Sequence, residues 1–154
     1  MNEGARTAGP NVGAVDAGQP VPTVQTTHLD DGPTVVSERW EGAHSVSVGV
    51  WVGVGSRDEP AARAGASHFL EHLLFKGTER RSARSIAELV DGSGGEMNAA
   101  TGKEFTAFYA RLPAGGQDLA VDLLGDVLCG PALRAADVET ERRVILEELH
   151  LQED

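Results

Sequence analysis

Cysteine is almost missing from this sequence. Cys129 is the single one in 154 residues. No internal disulfide can form, so stability does not depend on an oxidising compartment. Placed at the end of an apolar helical pattern, Cys129 reads as a core residue. Basic residues are also scarce, with 13 Lys and Arg against 24 Asp and Glu and a net charge of -11. That balance excludes a surface built to attract phosphates or acidic lipids, so neither a nucleic-acid nor a membrane partner is expected. No apolar run approaches the length of a membrane span. The opening residues, MNEGARTAGPNVGAVDAGQP, have no apolar stretch flanked by basic residues, so no secretory signal is expected. Rich in Gly, Ala and Pro with little to bury, residues 1–20 are expected to form a disordered lead. A cytoplasmic location follows by elimination. Internal repeats are absent too.

What is present suffices for one domain over residues 21–154, with 40% hydrophobic residues to build a core. Val21 to His28 alternates and is β-branched. Asp30, Asp31 and Gly32 supply a turn, and Pro33 to Trp40 returns as a second strand, which makes a hairpin. Ser45 to Gly55, SVSVGVWVGVG, is the clearest strand. After a polar loop, a helix is expected from Ala64 to Phe75, broken by Lys76-Gly77-Thr78. Ser82 caps a second helix with Ile86, Leu89 and Val90 on its buried face. Two strands, GEMNAATG and EFTAFYARL, follow a flexible turn at Asp91–Gly95. Gln117 to Cys129 is an amphipathic helix carrying Leu119, Val121, Leu123, Leu124, Val127 and Leu128. A last helix starts near Ala135. Mixed strands and helices with hairpin links predict an α+β fold: a largely antiparallel sheet packed with helices.

The helix from Ala64 holds His68, Glu71 and His72 in the order H-x-x-E-H. Residues four apart lie on one face of a helix, so both imidazoles point the same way and can reach one Zn²⁺ at roughly 2.0–2.1 Å. Glu71, beside a ligand histidine, reaches water next to the metal rather than the metal itself. That is where a general base for hydrolysis belongs. Phe69, Leu70, Leu73, Leu74 and Phe75 cover the other sides, so the helix is expected to be buried nearly all round. Zinc is inferred from the ligand types.

A catalytic zinc commonly has three protein ligands, which leaves one to find. His28, His44 and His150 stand on strand ends or near the C-terminus with nothing clustered around them, and read as surface residues. On the last helix Val138, Glu141, Ile145 and Glu148 fall on one stripe at helical spacing, and the two apolar members mark it as inward. Glu141 and Glu148 are thus acids on an apolar line, two turns apart. Glu139, Arg142 and Arg143 fit a solvated face. Glu147, on the line of Thr140 and Val144, is ambiguous.

Three segments, HFLEHLLFKGT, GGEMNAATGKEFTAFYA and ERRVILEEL, occur in that order. Through them the chain from about Val21 onward resembles the N-terminal part of the inverted-motif zinc metallopeptidases: pitrilysin, insulin-degrading enzyme and the processing-peptidase β-subunits. The resemblance implies zinc-dependent hydrolysis of unstructured peptides. His68, His72 and Glu148 match the family's metal ligands, Glu71 its general base and Glu141 a carboxylate that supports a ligand histidine. Asn98 and Ala99 match positions near the scissile bond, on an edge strand to which the substrate pairs as an added strand. Family members continue for several hundred residues beyond the point matching Asp154, with a second similar half or a partner subunit that closes over the peptide. The resemblance therefore implies a truncated domain that needs this second half, and the alternative function is a non-catalytic fragment or peptide-binding subunit.

Overall fold

The structure, a computed structural model, describes residues 23–30 and 32–152, except for the side chains of 149, 151 and 152. The expected disordered lead, residues 1–20, lies outside the described residues. The chain divides into two units, Met1–Gly42 and Ala43–Asp154.

In the first unit β1 (Thr23–His28) and β2 (Thr34–Arg39) form an antiparallel hairpin, in register from Thr23 opposite Arg39 to His28 opposite Thr34. The turn closes through Leu29 N–H donating to the Pro33 carbonyl at 3.3 Å and Gly32 N–H to that of Leu29 at 3.1 Å. Every residue of both strands is exposed.

The second unit is built on a three-stranded antiparallel sheet in the order β3 (Ser45–Val52), β5 (Thr106–Pro113), β4 (Glu96–Thr101). Four helices accompany it: α1 (Ala66–Leu74), α2 (Ala83–Ser93), α3 (Gln117–Cys129) and α4 (Ala135–Gln152). The α+β class is as expected. The centre of the core is β5, whose alternate residues Phe108, Ala110 and Leu112 meet Leu74 of α1, Ile86 of α2, and Ala120, Leu124 and Val127 of α3. Side chains two apart on a strand share a face, so these three line the covered side of the sheet.

Several expected boundaries and faces shift. The strand from Ser45 stops at Val52, not Gly55. Gly55 turns against the β4–β5 connection so closely that a Cβ would lie 2.5 Å from the Gly102 carbonyl oxygen. Ser56 N–H donates to that same carbonyl at 3.1 Å. The turn after α2 is shorter than expected, because the helix runs to Ser93 and ends on Gly94 in the left-handed conformation, φ 73°. Ser82 caps α2 as expected, its hydroxyl accepting Ser85 N–H at 3.1 Å.

Leu89, Val121 and Cys129, all read as inward, are exposed. A helix turns about 100° per residue and one stripe of α3 faces the sheet. Ala120, Leu123, Leu124 and Val127 take that stripe, leaving Val121, Gly125 and Cys129 in a row on the outer side. Likewise α1 is covered on one side only: Leu73 and Leu74 are buried, Phe69 and Phe75 half-buried, and Leu70 exposed. No helix among the described residues is long and apolar enough to cross a membrane.

Candidate metal centre

The start of α1 is fixed from outside the helix. Gly65, at φ 88°, brings the chain in with no side-chain cap of its own. Glu59 supplies the acceptors instead, taking Ser67 N–H at 2.7 Å and Gly65 N–H at 2.6 Å. The Ser67 backbone N–H first, then the Ser67 hydroxyl and Gly65, hold the Glu59 carboxyl below its ordinary range. The far end is pinned as well. Beyond Phe75 the chain delivers Thr78, which is buried, and its hydroxyl donates to Asp126 of α3 at 3.0 Å. The same carboxylate oxygen accepts from Arg81 at 2.7 Å. With both ends held, the register of His68, Glu71 and His72 is set.

His68 and His72 project together, their Nε2 atoms 3.1 Å apart. Glu148 of α4 reaches the same point, with Oε2 at 3.6 Å from His68 Nε2 and 3.9 Å from His72 Nε2. The nearest point equidistant from these three atoms lies about 2.1 Å from each. This is the bond length zinc adopts with imidazole nitrogen and carboxylate oxygen. Two nitrogens and one anionic oxygen form a donor set that suits the ion, and all three side chains are partly open to solvent. On geometry and donor chemistry the residues fit zinc.

The backing of His72 sharpens that fit. Its Nδ1 lies 3.2 Å from Glu141 Oε2. An ionised carboxylate only accepts, so Nδ1 carries a proton, and in the neutral ring this leaves the lone pair on Nε2. Glu141 is 3% exposed, and Lys76 Nζ stands 2.7 Å from its Oε1. Burial pushes the Glu141 carboxyl up, but the hydrogen bonds from Lys76 and His72 and the charge of Lys76 outweigh it and leave it below the ordinary range.

Glu71, one residue before His72, is turned away from the three donor atoms by the helix. Its Oε2 accepts the Thr101 hydroxyl from the end of β4. A groove of about 290 Å³ runs past it, lined by Glu71, His72, Phe75, Lys76, Asn98 and Glu141. Strand β4 is at a margin of the sheet. The Ala99 N–H donates to the Asn98 side-chain oxygen at 2.8 Å, so it faces away from the β5 ladder. The Ala99 methyl packs on the core. Thus His68, His72 and Glu148 meet at a point, Glu141 stands behind His72, and Glu71 and Asn98 share the groove. Glu147 is exposed and outside the cluster.

Residues 34–154 match the model of the insulinase family, peptidase family M16. The chain belongs to this family. An uncharacterised zinc protease of Mycobacterium tuberculosis is 55% identical over 128 residues, 83% of this chain and 29% of the relative. The mitochondrial-processing peptidase β-subunit of Blastocladiella emersonii is 42% identical over 130 residues, 83% of this chain and 28% of the relative. Among solved structures, pitrilysin superposes with a TM-score of 0.74 at 34% identity, over 85% of this chain and 14% of pitrilysin. This insulinase-family chain spans under a third of the length of the curated relatives it matches.

Three contributors to the site were not singled out from sequence. Lys76 had a signal, since it continues the four-residue spacing of His68 and His72. Thr101 had none, because its meeting with Glu71 depends on where β4 lies. Glu59 showed only as an acid in a polar loop.

Proposed function

We propose that this chain is the metal-holding part of a zinc metalloendopeptidase that hydrolyses unstructured peptides. The observation that carries the reading is the triangle of His68 Nε2, His72 Nε2 and Glu148 Oε2, whose nearest equidistant point lies at zinc bond length, about 2.1 Å. Zinc held by these residues would supply Lewis acidity at the scissile carbonyl.

The remaining chemistry belongs to side chains. Glu71 is the general base, taking a proton from the attacking water and passing it to the leaving amine. The Thr101 hydroxyl donates to one oxygen of Glu71, which orients the carboxylate and leaves the other oxygen for that proton. Glu141 keeps the His72 lone pair on Nε2. The peptide lies along the margin of β4, where Ala99 offers a backbone N–H once the Asn98 side chain gives it up. Substrate binding through backbone groups suits peptides of varied sequence.

The wall facing this groove is supplied by a second homologous half, in the same polypeptide or as a partner subunit. Peptide hydrolysis needs water excluded and the scissile bond fixed from both sides. This part of the reading is supported by the length of the relatives. The alternative, a peptide-binding piece without catalysis, is weakened by the presence of Glu71 beside a complete donor set.

The test is zinc stoichiometry of the purified chain, followed by cleavage of unstructured peptides with and without chelator. One Zn²⁺ per chain is expected, abolished by His68→Ala with His72→Ala. Chelator-sensitive cleavage is expected only when a second homologous half is supplied. Full zinc occupancy in the double variant would overturn the metal assignment. Chelator-insensitive cleavage by that assembly would overturn the mechanism.

A further inference from the structure

Lys76 stands four residues after His72, as His72 stands four after His68. It lies just past Phe75, the residue that ends α1, and its N–H donates to the Leu73 carbonyl at 3.1 Å. The backbone from which its side chain springs is therefore still held to the last turn. Across the gap to α4, Nζ is 2.7 Å from Glu141 Oε1, while the other oxygen of that carboxylate takes Nδ1–H of His72 at 3.2 Å. One buried carboxylate is divided between an ammonium and an imidazole, one oxygen to each.

We propose that Lys76 is a positioning residue for the metal centre: through Glu141 it holds His72 with its proton on Nδ1 and its Nε2 lone pair aimed at the point shared with His68 and Glu148. The proposal rests on reading those three residues as the metal site.

The physical reasoning has two parts. A buried carboxylate with one oxygen unpartnered is free to rotate and pays for the missing partner. Lys76 removes both problems at Glu141. An imidazole left to water favours the proton on Nε2, the tautomer that cannot bind a metal through that atom. Which nitrogen carries the proton is set by the bond the other one makes. Fixing Glu141 therefore fixes His72. The simple charge effect of Lys76 runs in the opposite direction, since deleting a cation near a dication's site strengthens binding. The sign of the change thus separates positioning from bulk electrostatics.

The experiment uses the full 154-residue chain with Lys76→Met, Lys76→Gln, Lys76→Arg, Glu141→Gln and the Lys76→Met, Glu141→Gln double variant. Two quantities are read: the His72 tautomer in the metal-free chain, from ring ¹⁵N chemical shifts, and zinc affinity, by competition with a chromophoric chelator. The wild type is expected to show Nδ1–H at His72. Lys76→Met and Lys76→Gln should give a tautomer mixture and weaken zinc binding by about 3- to 10-fold, below the 10- to 100-fold typical of a direct partner of a ligand. Lys76→Arg should restore both. In the Glu141→Gln background, Lys76→Met should change affinity by less than about twofold, because the carboxylate that Lys76 pairs with is gone.

An unchanged tautomer in the folded Lys76→Met chain would overturn the proposal. So would tighter zinc binding, or the same loss in both backgrounds. Failure of the wild type to bind zinc would sink the metal reading, while the tautomer measurement would still decide the role of Lys76.

Discussion

Replacing Glu148 by Gln separates a ligand from its neighbour on α4. The substitution keeps the shape of the side chain and removes the negative charge that closes the triangle with the two imidazoles. Structural zinc sites of four ligands bind with an apparent free energy of about 10–16 kcal/mol, so each ligand accounts for about 2.5–4 kcal/mol. Two features of Glu148 reduce that. Its side chain is 40% exposed, so its charge is partly screened, and a Gln carbonyl retains some donor capacity. The expected loss is about 2–3 kcal/mol, or about 30- to 150-fold in zinc affinity. Glu147→Gln is the control. One step along the helix turns that side chain by about 100°, and it is exposed, so its loss should stay under about threefold. Affinity is read by competition with a chromophoric chelator, with circular dichroism to show that both variants keep their helices. Zinc binding by Glu148→Gln within threefold of wild type would refute the ligand assignment. A larger loss in Glu147→Gln would show that α4 presents the other acid.

Three further outcomes follow from the geometry. In an active protein carrying this chain, Glu71→Gln should retain zinc and lose about 10²–10⁴ in turnover, and near wild-type hydrolysis would reduce Glu71 to a structural role. Thr101→Val removes the hydroxyl that Glu71 accepts, so it should lower turnover by about 10-fold while leaving zinc affinity unchanged; an equal loss in zinc affinity would contradict the separation of base and ligands. Burial pushes the Asp126 carboxyl up, but Arg81, Thr78 and Arg80 together hold it below the ordinary aspartate range. Its stabilisation is therefore fully present above that range and is lost as pH falls through it toward the folded value. Asp126→Asn should destabilise the chain by about 2–3 kcal/mol at neutral pH, less than the full loss of a buried pair because Arg81 keeps Asp122. In denaturant titrations the gap between the two chains should close on acidification, and a gap that widened would refute the sign.

How much of this was legible in the sequence depended on whether the signal was local. The spacing of His68, Glu71 and His72 is a property of one helix, so it carried over directly. Glu141 and Glu148 were recoverable because Val138 and Ile145 mark the inward stripe of α4 without reference to any other element. Choosing Glu148 as the ligand needed the family resemblance, and the geometry brings it, rather than Glu141, to the imidazole nitrogens. Leu89, Val121 and Cys129 were misread for a common reason. Their helices carry more apolar residues than one face can bury, and composition does not say which stripe meets the sheet. Thr101 and Glu59 contribute through contacts that cross between elements or along a loop, which periodicity cannot reveal. Leu70 was expected inside because the whole of α1 looked apolar, yet the helix lies at the surface beside the groove, where a site must be reached.

The way α4 is attached has a consequence for the fate of the protein in a metal-poor setting. Ile145 is its one buried apolar side chain among those described, whereas Val144 and Leu146 are exposed. The helix is fastened to α1 largely through Glu141 and Glu148, by polar contacts to Lys76, His72 and His68. An ion shared between the two helices, as proposed, would therefore be a clasp as well as a reagent. By mass action, each tenfold rise of free zinc above the dissociation constant adds about 1.4 kcal/mol to the clasped state. Chelation would remove that increment and free α4 to open locally, exposing its backbone to hydrogen exchange and to proteases. Metal starvation would then select this protein for turnover, so that its abundance, as much as its chemistry, would follow the zinc supply.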